Sequence, residues 1–185
     1  MAIFKSFKAY RPKNDLAGEI AAKPYDVLNS SEARAQAKGK PWSFLHVSKP
    51  EIDLPEDTDP YSQAVYTKGA ENFRRMLEGG VLSRDATPCF YAYRMNMGDH
   101  EQTGVVAAAS VAAYDAGRIR KHEFTRPDKE DDRVRQIEAL NAQTGPVLLA
   151  HPDAPEVDTL LARAASGVPD ADVTAAGSRP LLVAI

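Results

Sequence analysis

The sequence predicts an α/β (α+β) domain with a mixed, largely antiparallel sheet and helices packed against it. Three observations predict this class. Pro88 to Met97 and Gln102 to Tyr114 are runs of aromatics, valine and alanine joined by Gly98-Asp99, which is a hairpin pattern. Tyr61 to Leu77 and Lys129 to Gln143 instead repeat apolar residues at helical spacing. Turn residues punctuate the whole chain at short intervals without any internal repeat, so solenoid and propeller readings drop out.

Taken in order, Ile3 to Tyr10 reads as a first strand that Arg11-Pro12 interrupts. Pro24-Tyr25-Asp26-Val27 is an extended segment entering a turn at Asn29, after which Ser30 or Ser31 caps a short helix through Gln36 that Gly39 stops. Trp42 to Val47 supplies an apolar strand, and the prolines and acids from Lys49 to Pro60 mark a loop. In the long helix that follows, Asp59 is the cap and Pro60 sits in the first turn. Tyr61, Val65, Phe73, Met76 and Leu77 share its apolar face, and Gly79-Gly80 ends it. Gly69 lies on that face at a cost of about 1 kcal/mol relative to alanine, which implies close contact with a neighbouring element. After the hairpin, Asp115-Ala116-Gly117 turns the chain and Ile119 to Thr125 adds a third strand. The helix from Lys129 buries Val134, Ile137 and Leu140, Val147 to Ala150 returns as a strand, and Pro155 to Ala165 is a helix with Val157, Leu160 and Leu161 inward. The apolar run Pro180 to Ile185 needs a strand partner.

The chain of 185 residues is expected to form one globular domain over residues 1–176, the N-terminal part of a longer protein, followed by an atypical tail over 177–185. Its 23 basic and 26 acidic side chains leave a net charge of -3, a poor match to a polyanion such as nucleic acid. Lys5, Lys8, Arg11 and Lys13, interleaved with Phe4, Phe7 and Tyr10, read better as lysine stems lying along a first strand. Cys89 is the only cysteine, which rules out an internal disulfide and a CxxC clip and suits a reducing compartment. With no signal peptide and no run approaching the roughly 20 apolar residues of a membrane span, the expected location is the cytoplasm.

The densest chemistry is His122-Glu123-Phe124-Thr125-Arg126-Pro127 with Asp128 to Arg133 behind it. On a strand, Glu123 and Thr125 share one side and His122 takes the other. Glu123 can serve as a general base or as a ligand for a hydrated cation, Thr125 can donate a hydrogen bond, and Arg126 and Arg133 can grip phosphate or carboxylate. The same run also reads as a helix start, with Asp128 as N-cap and Glu130, Asp131 and Asp132 facing the positive end of the helix. Asp26 either faces a cleft or ties down its own turn. His46, His100 and His151 lack metal-ligand spacing and read as surface or hydrogen-bonded core. The sequence has no Walker phosphate loop, GxGxxG, GxSxG or HExxH signature.

Phe7-Lys8-Ala9-Tyr10-Arg11-Pro12, Pro24-Tyr25-Asp26-Val27, Asp59-Pro60-Tyr61, Gly80-Val81-Leu82, Phe90-Tyr91-Ala92-Tyr93 and His122-Glu123-Phe124-Thr125 through Asp132-Arg133 follow one another as in the bacterial and archaeal proteins of domain of unknown function family 1015, which this chain resembles as far as about Val173. Members of that family are longer and carry a downstream Asp-Gly-His-His-Arg motif similar to that of ParB-like proteins and free-serine kinases; this chain lacks it. The resemblance implies a nucleotide ligand, ATP or ADP with magnesium, and phosphoryl transfer to a small hydroxylated metabolite in the full-length form. It would make Glu123, His122 and Thr125 catalytic and have Tyr25, Asp26, Arg126, Asp132 and Arg133 hold substrate or phosphate. A non-catalytic binding or regulatory module is the alternative, and DNA binding by analogy with ParB is a third.

Overall fold

The computed structural model describes residues 3–121, 124–174 and 178–184, with the side chains of Asn14, Met97 and residues 178–184 outside the description. In chain order its elements begin with β1 (Phe4–Lys5), β2 (Tyr10–Pro12), α1 (Ala17–Ile20), α2 (Ser30–Ala37), α3 (Leu45–Ser48), α4 (Gln63–Glu78) and β3 (Leu82–Arg84). They continue with β4 (Tyr91–Met97), β5 (His100–Val106), β6 (Ala108–Ala109), α5 (Val111–Asp115), α6 (Pro127–Leu140), α7 (Pro155–Ala165), β7 (Ala171–Asp172) and β8 (Ser178–Ala184). Helices and small antiparallel sheets thus coexist, as the α/β reading expects. The chain forms two compact units: a sheet unit of Met1–Asn14, Arg84–Phe124 and Val147–Ile185, and a helical unit of Asp15–Ser83 and Thr125–Pro146.

In the sheet unit the strand order is β5-β4-β8-β7. The predicted hairpin is present: Tyr91 pairs with Val106 and Met97 with His100 around Gly98, whose φ of 60° is the left-handed turn geometry that glycine adopts without strain. β8 fills the other side of β4, antiparallel, so the apolar run near the C-terminus does find a strand partner. α7 packs on β4, β5 and β8, with Leu161 and Ala165 buried, whereas Leu160 is exposed. Tyr91 is 1% exposed, and its hydroxyl sits between the backbone of Phe7 and Ala9 and the carboxylate of Asp85, which also takes a two-nitrogen contact from Arg11. Those bonds join the chain's opening segment to the edge of β4.

Several predicted strands of this unit take other forms. Ile3 to Tyr10 is two short strands with a bridge between Phe7 and Cys89. The predicted second hairpin strand ends its pairing with β4 at Val106; Ala108–Ala109 pair with β1 instead, and from Val111 the chain is helical, with Ser110 capping α5 by accepting from the Ala113 amide. Ile119 to Lys121 and Phe124-Thr125 are not strand, and neither is Val147 to Ala150, where Val147 and Leu148 are each 81% exposed. Apolar character alone does not make a strand when no partner edge is within reach.

The helical unit centres on α4. Its core joins Ile20, Val47, Phe73, Met76, Val81, Leu82 and Leu140, and a second cluster joins Leu28, Ala33, Ala37, Leu45 and Ile52. α2 begins with a reciprocal capping box: the Asn29 side chain accepts from the Glu32 amide, and the Glu32 carboxylate accepts from the Asn29 amide. The Trp42 to Val47 segment is not a strand but leads into the single-turn helix α3, with Leu45 and Val47 buried. α4 starts at Gln63 with Ser62 as N-cap, later than expected. Asp59 instead accepts from the Tyr61 amide in an Asx turn, and Tyr61 stays exposed. Gly80, at φ 61°, closes α4 as predicted.

Candidate functional site

α6 decides the site because the face it buries carries two polar side chains beside the expected Leu140. Asp132, Gln136 and Leu140 are the buried positions, one helical turn apart, while Val134 is 46% exposed. Burying polar side chains requires partners, and both have them. The Gln136 amide nitrogen donates to the Val47 carbonyl at 2.7 Å. Asp132 Oδ1 accepts from the Tyr66 hydroxyl at 2.8 Å, and Oδ2 accepts from Arg133 Nε and Nη2 at 3.1 and 2.6 Å.

Arg133 is therefore held from two directions. One edge of its guanidinium is tied to Asp132, and its central carbon stands 3.8 Å from the centroid of the Tyr25 ring, which the 3-10 turn Tyr25–Val27 delivers. A guanidinium has five N–H donors and two are used on Asp132, so among the described residues three remain: both on Nη1 and one on Nη2. That free end is the edge suited to two oxygens of a phosphate or carboxylate. The Arg133 side chain is 30% exposed, so a ligand can reach it. Tyr66 holds the other end of the network in one protonation state: burial, and then the bond to Asp132, push its hydroxyl up to about 12, so it remains a donor.

Further aromatic and cationic groups extend the cluster. The Arg135 guanidinium stacks 4.3 Å from the Tyr66 centroid and donates to the Tyr61 carbonyl. Lys129 donates to the Tyr61 hydroxyl at 2.8 Å.

Of the residues picked out from sequence, Tyr25, Asp132 and Arg133 converge. Asp26 shares the Tyr25 turn but is exposed and accepts no hydrogen bond among the described residues, so it makes no Asx turn with them. Thr125 and Arg126 are exposed at the start of α6. Thr125 donates to Glu130, and Arg126, which is the N-cap residue in place of Asp128, pairs with Asp128 at 2.8 Å. His122 and Glu123 lie outside the described residues, and the strand that would have put Glu123 and Thr125 on one side does not form through Thr125. Sequence reasoning missed Tyr66, Tyr61, Lys129, Arg135 and Gln136. A signal for two of them was present: Tyr66 precedes Gly69 and Phe73 at helical spacing, and Asp132 and Gln136 are four apart.

His46, read as surface or hydrogen-bonded core, is hydrogen-bonded: Nδ1 meets both Asp53 oxygens at 2.9 Å, and Asn72 donates to Asp53 and to the His46 carbonyl. The Asp53 bond, opposed by burial, holds His46 above its ordinary 6.5. Burial pushes Asp53 up, but the His46 and Asn72 contacts outweigh it and leave the carboxyl below 3.8. The His46 contribution is thus complete below pH 6.5 and is lost as pH rises through its raised value. The Asp53 contribution is present above pH 3.8 and is lost as pH falls through its lowered value. Asp53→Asn is expected to cost about 1 kcal/mol between those limits and less on the alkaline side. Urea unfolding across pH 4 to 9 checks this, and a cost independent of pH contradicts it.

Among the described residues no cluster of His, Cys, Asp and Glu can hold a metal ion, and no helix is long and apolar enough to cross a membrane. No curated protein and no solved structure matches the chain. A family model does match, over residues 4–185, a span that takes in Tyr25, Asp132 and Arg133 and runs on through β8: the chain belongs to the family described as Protein of unknown function (DUF1015).

Proposed function

We propose that the helical unit binds the phosphate of a small molecule, ATP or ADP with magnesium in the first instance, through the free edge of Arg133. The single observation that carries this reading is the guanidinium lying on Tyr25 at 3.8 Å with its other edge tied to buried Asp132. An arginine fixed on two sides loses little further freedom on meeting an anion, so more of the contact energy is realised as binding. In the family's longer members this grip serves phosphoryl transfer to a small hydroxylated metabolite, in the cytoplasm. There Glu123 acts as general base or magnesium contact, His122 orients the site, and Thr125 and Asp26 meet the substrate. Arg126 makes the same two-nitrogen contact, with Asp128, but its side chain is 74% exposed against 30% for Arg133, so it is less fixed and the weaker phosphate contact.

Calorimetric titration of ATP and of ADP, each with and without magnesium, tests the reading. Saturable heat that weakens about tenfold in Arg133→Ala is expected, and a flat trace for both nucleotides ends the proposal.

A second reading, a non-catalytic binding or regulatory module, is favoured by the pairing of Thr125 with Glu130 and of Arg126 with Asp128, which ties both side chains into the exposed start of α6. Glu123→Ala separates the two readings. A catalytic glutamate can be lost with the melting temperature unchanged or raised, whereas a structural one lowers it.

A further inference from the structure

We infer that the helical unit carries a second ligand site, an open concavity at the end of α2 that takes a small amphiphilic anion, a phosphate or carboxylate head on a short apolar body. None of the residues discussed for the nucleotide lines it. The hollow has a volume of about 600 Å³, within the range of small-molecule sites.

Its charge is lopsided. Arg34, Lys38 and Lys40 line it against a single carboxylate, Asp53, which His46 and Asn72 already occupy. The Arg34 guanidinium is fixed in the wall by donating to the carbonyls of Glu51, Ile52 and Leu54, so it supplies positive field without moving. Lys38 and Lys40 are both exposed, and neither ammonium group has a hydrogen-bond or ion-pair partner among the described residues. Between them stands Gly39, at φ 74°, with nothing within 4 Å of where a Cβ would be, so the two lysines flank open space rather than a packed surface. Ala37, Pro41 and Ile52 give the hollow its apolar lining. An inorganic ion would leave that lining unused, and a neutral apolar molecule would leave the ammonium groups unused.

Amide NMR with three probes tests the site: phenyl phosphate, inorganic phosphate and phenol. Phenyl phosphate is expected to shift Gly39, Lys40 and Ile52 saturably, with the other two binding about tenfold more weakly or worse, and the double variant Lys38→Gln/Lys40→Gln should lose about tenfold in affinity with its spectrum otherwise preserved. The inference is overturned if no saturable shift occurs, or if the double variant binds as the native chain does and only melts earlier, since the lysines would then merely complement the end of α2. It is equally overturned if Arg133→Ala abolishes the shifts while the lysine variant keeps them, which would place the probe at the nucleotide site instead.

Discussion

Asp132→Ala is expected to destabilise the helical unit by about 2–3 kcal/mol, the largest loss from any single truncation at the candidate site. Asp132 is 7% exposed and accepts three hydrogen bonds, so its removal leaves the hydroxyl of Tyr66, itself 2% exposed, without an acceptor. A buried donor deprived of its acceptor costs about 1–3 kcal/mol by itself. Arg133 loses its anchor as well, but with its side chain 30% exposed it can be rehydrated, which keeps the total below that of a fully buried pair. Asp132→Asn is expected to lose about half as much, because an amide oxygen can still accept from Tyr66. Urea unfolding of the two variants checks the order. Equal and small losses, below about 0.5 kcal/mol, would mean that the network contributes little.

Gly69 reverses the usual sign of a helix substitution. In an open helix, glycine to alanine gains up to about 1 kcal/mol. A Cβ built on Gly69, however, falls 2.9 Å from Pro50 Cγ and 3.4 Å from both Gln136 Nε2 and the Val47 carbonyl oxygen. Pro50 is a buried ring that cannot swing aside, and the other two atoms are the hydrogen-bonded pair that joins α6 to α3. Gly69→Ala is therefore expected to destabilise by about 1–2 kcal/mol and Gly69→Val by about 3 kcal/mol. Gly18→Ala is the control: nothing lies within 4 Å of its Cβ in α1, so it should be neutral or stabilising. A stabilised Gly69→Ala would show that α4 is not in close contact with Pro50.

The contrast between α4 and α6 shows what could be read in advance. In α4 the apolar residues Val65, Phe73 and Met76 are among the buried ones, so periodicity located the face, and a glycine on that face announced the close approach now seen at Pro50. In α6 the same rule placed Leu140 correctly but also pointed to Val134, which is exposed, and Ile137, which is half-buried, whereas Asp132 and Gln136 face inward. Their burial is favourable only because Tyr66 and the Val47 carbonyl wait in other elements, and a partner some 66 or 89 residues away leaves no local trace. The turns were legible where glycine takes a left-handed conformation, as at Gly80 and Gly98. Short apolar runs were not: Trp42 to Val47 and Val111 to Tyr114 suit strand or helix equally, and the decision fell to Ser110 in one case and to packing under α4 in the other. At the site, Arg133 and Tyr25 were chosen for their chemistry, but the stacking that joins them is a product of the fold.

The side-chain Nε–H resonance of Arg133 is the most direct witness to the central claim, that Asp132 and Tyr25 hold this guanidinium ready for an anion. In the native chain it should be sharp and protected, and titration with ADP should move it to saturation along the same curve as the calorimetric heat. A signal that stays in place while ADP binds elsewhere, or that is already averaged like a free arginine before ligand is added, would contradict the account.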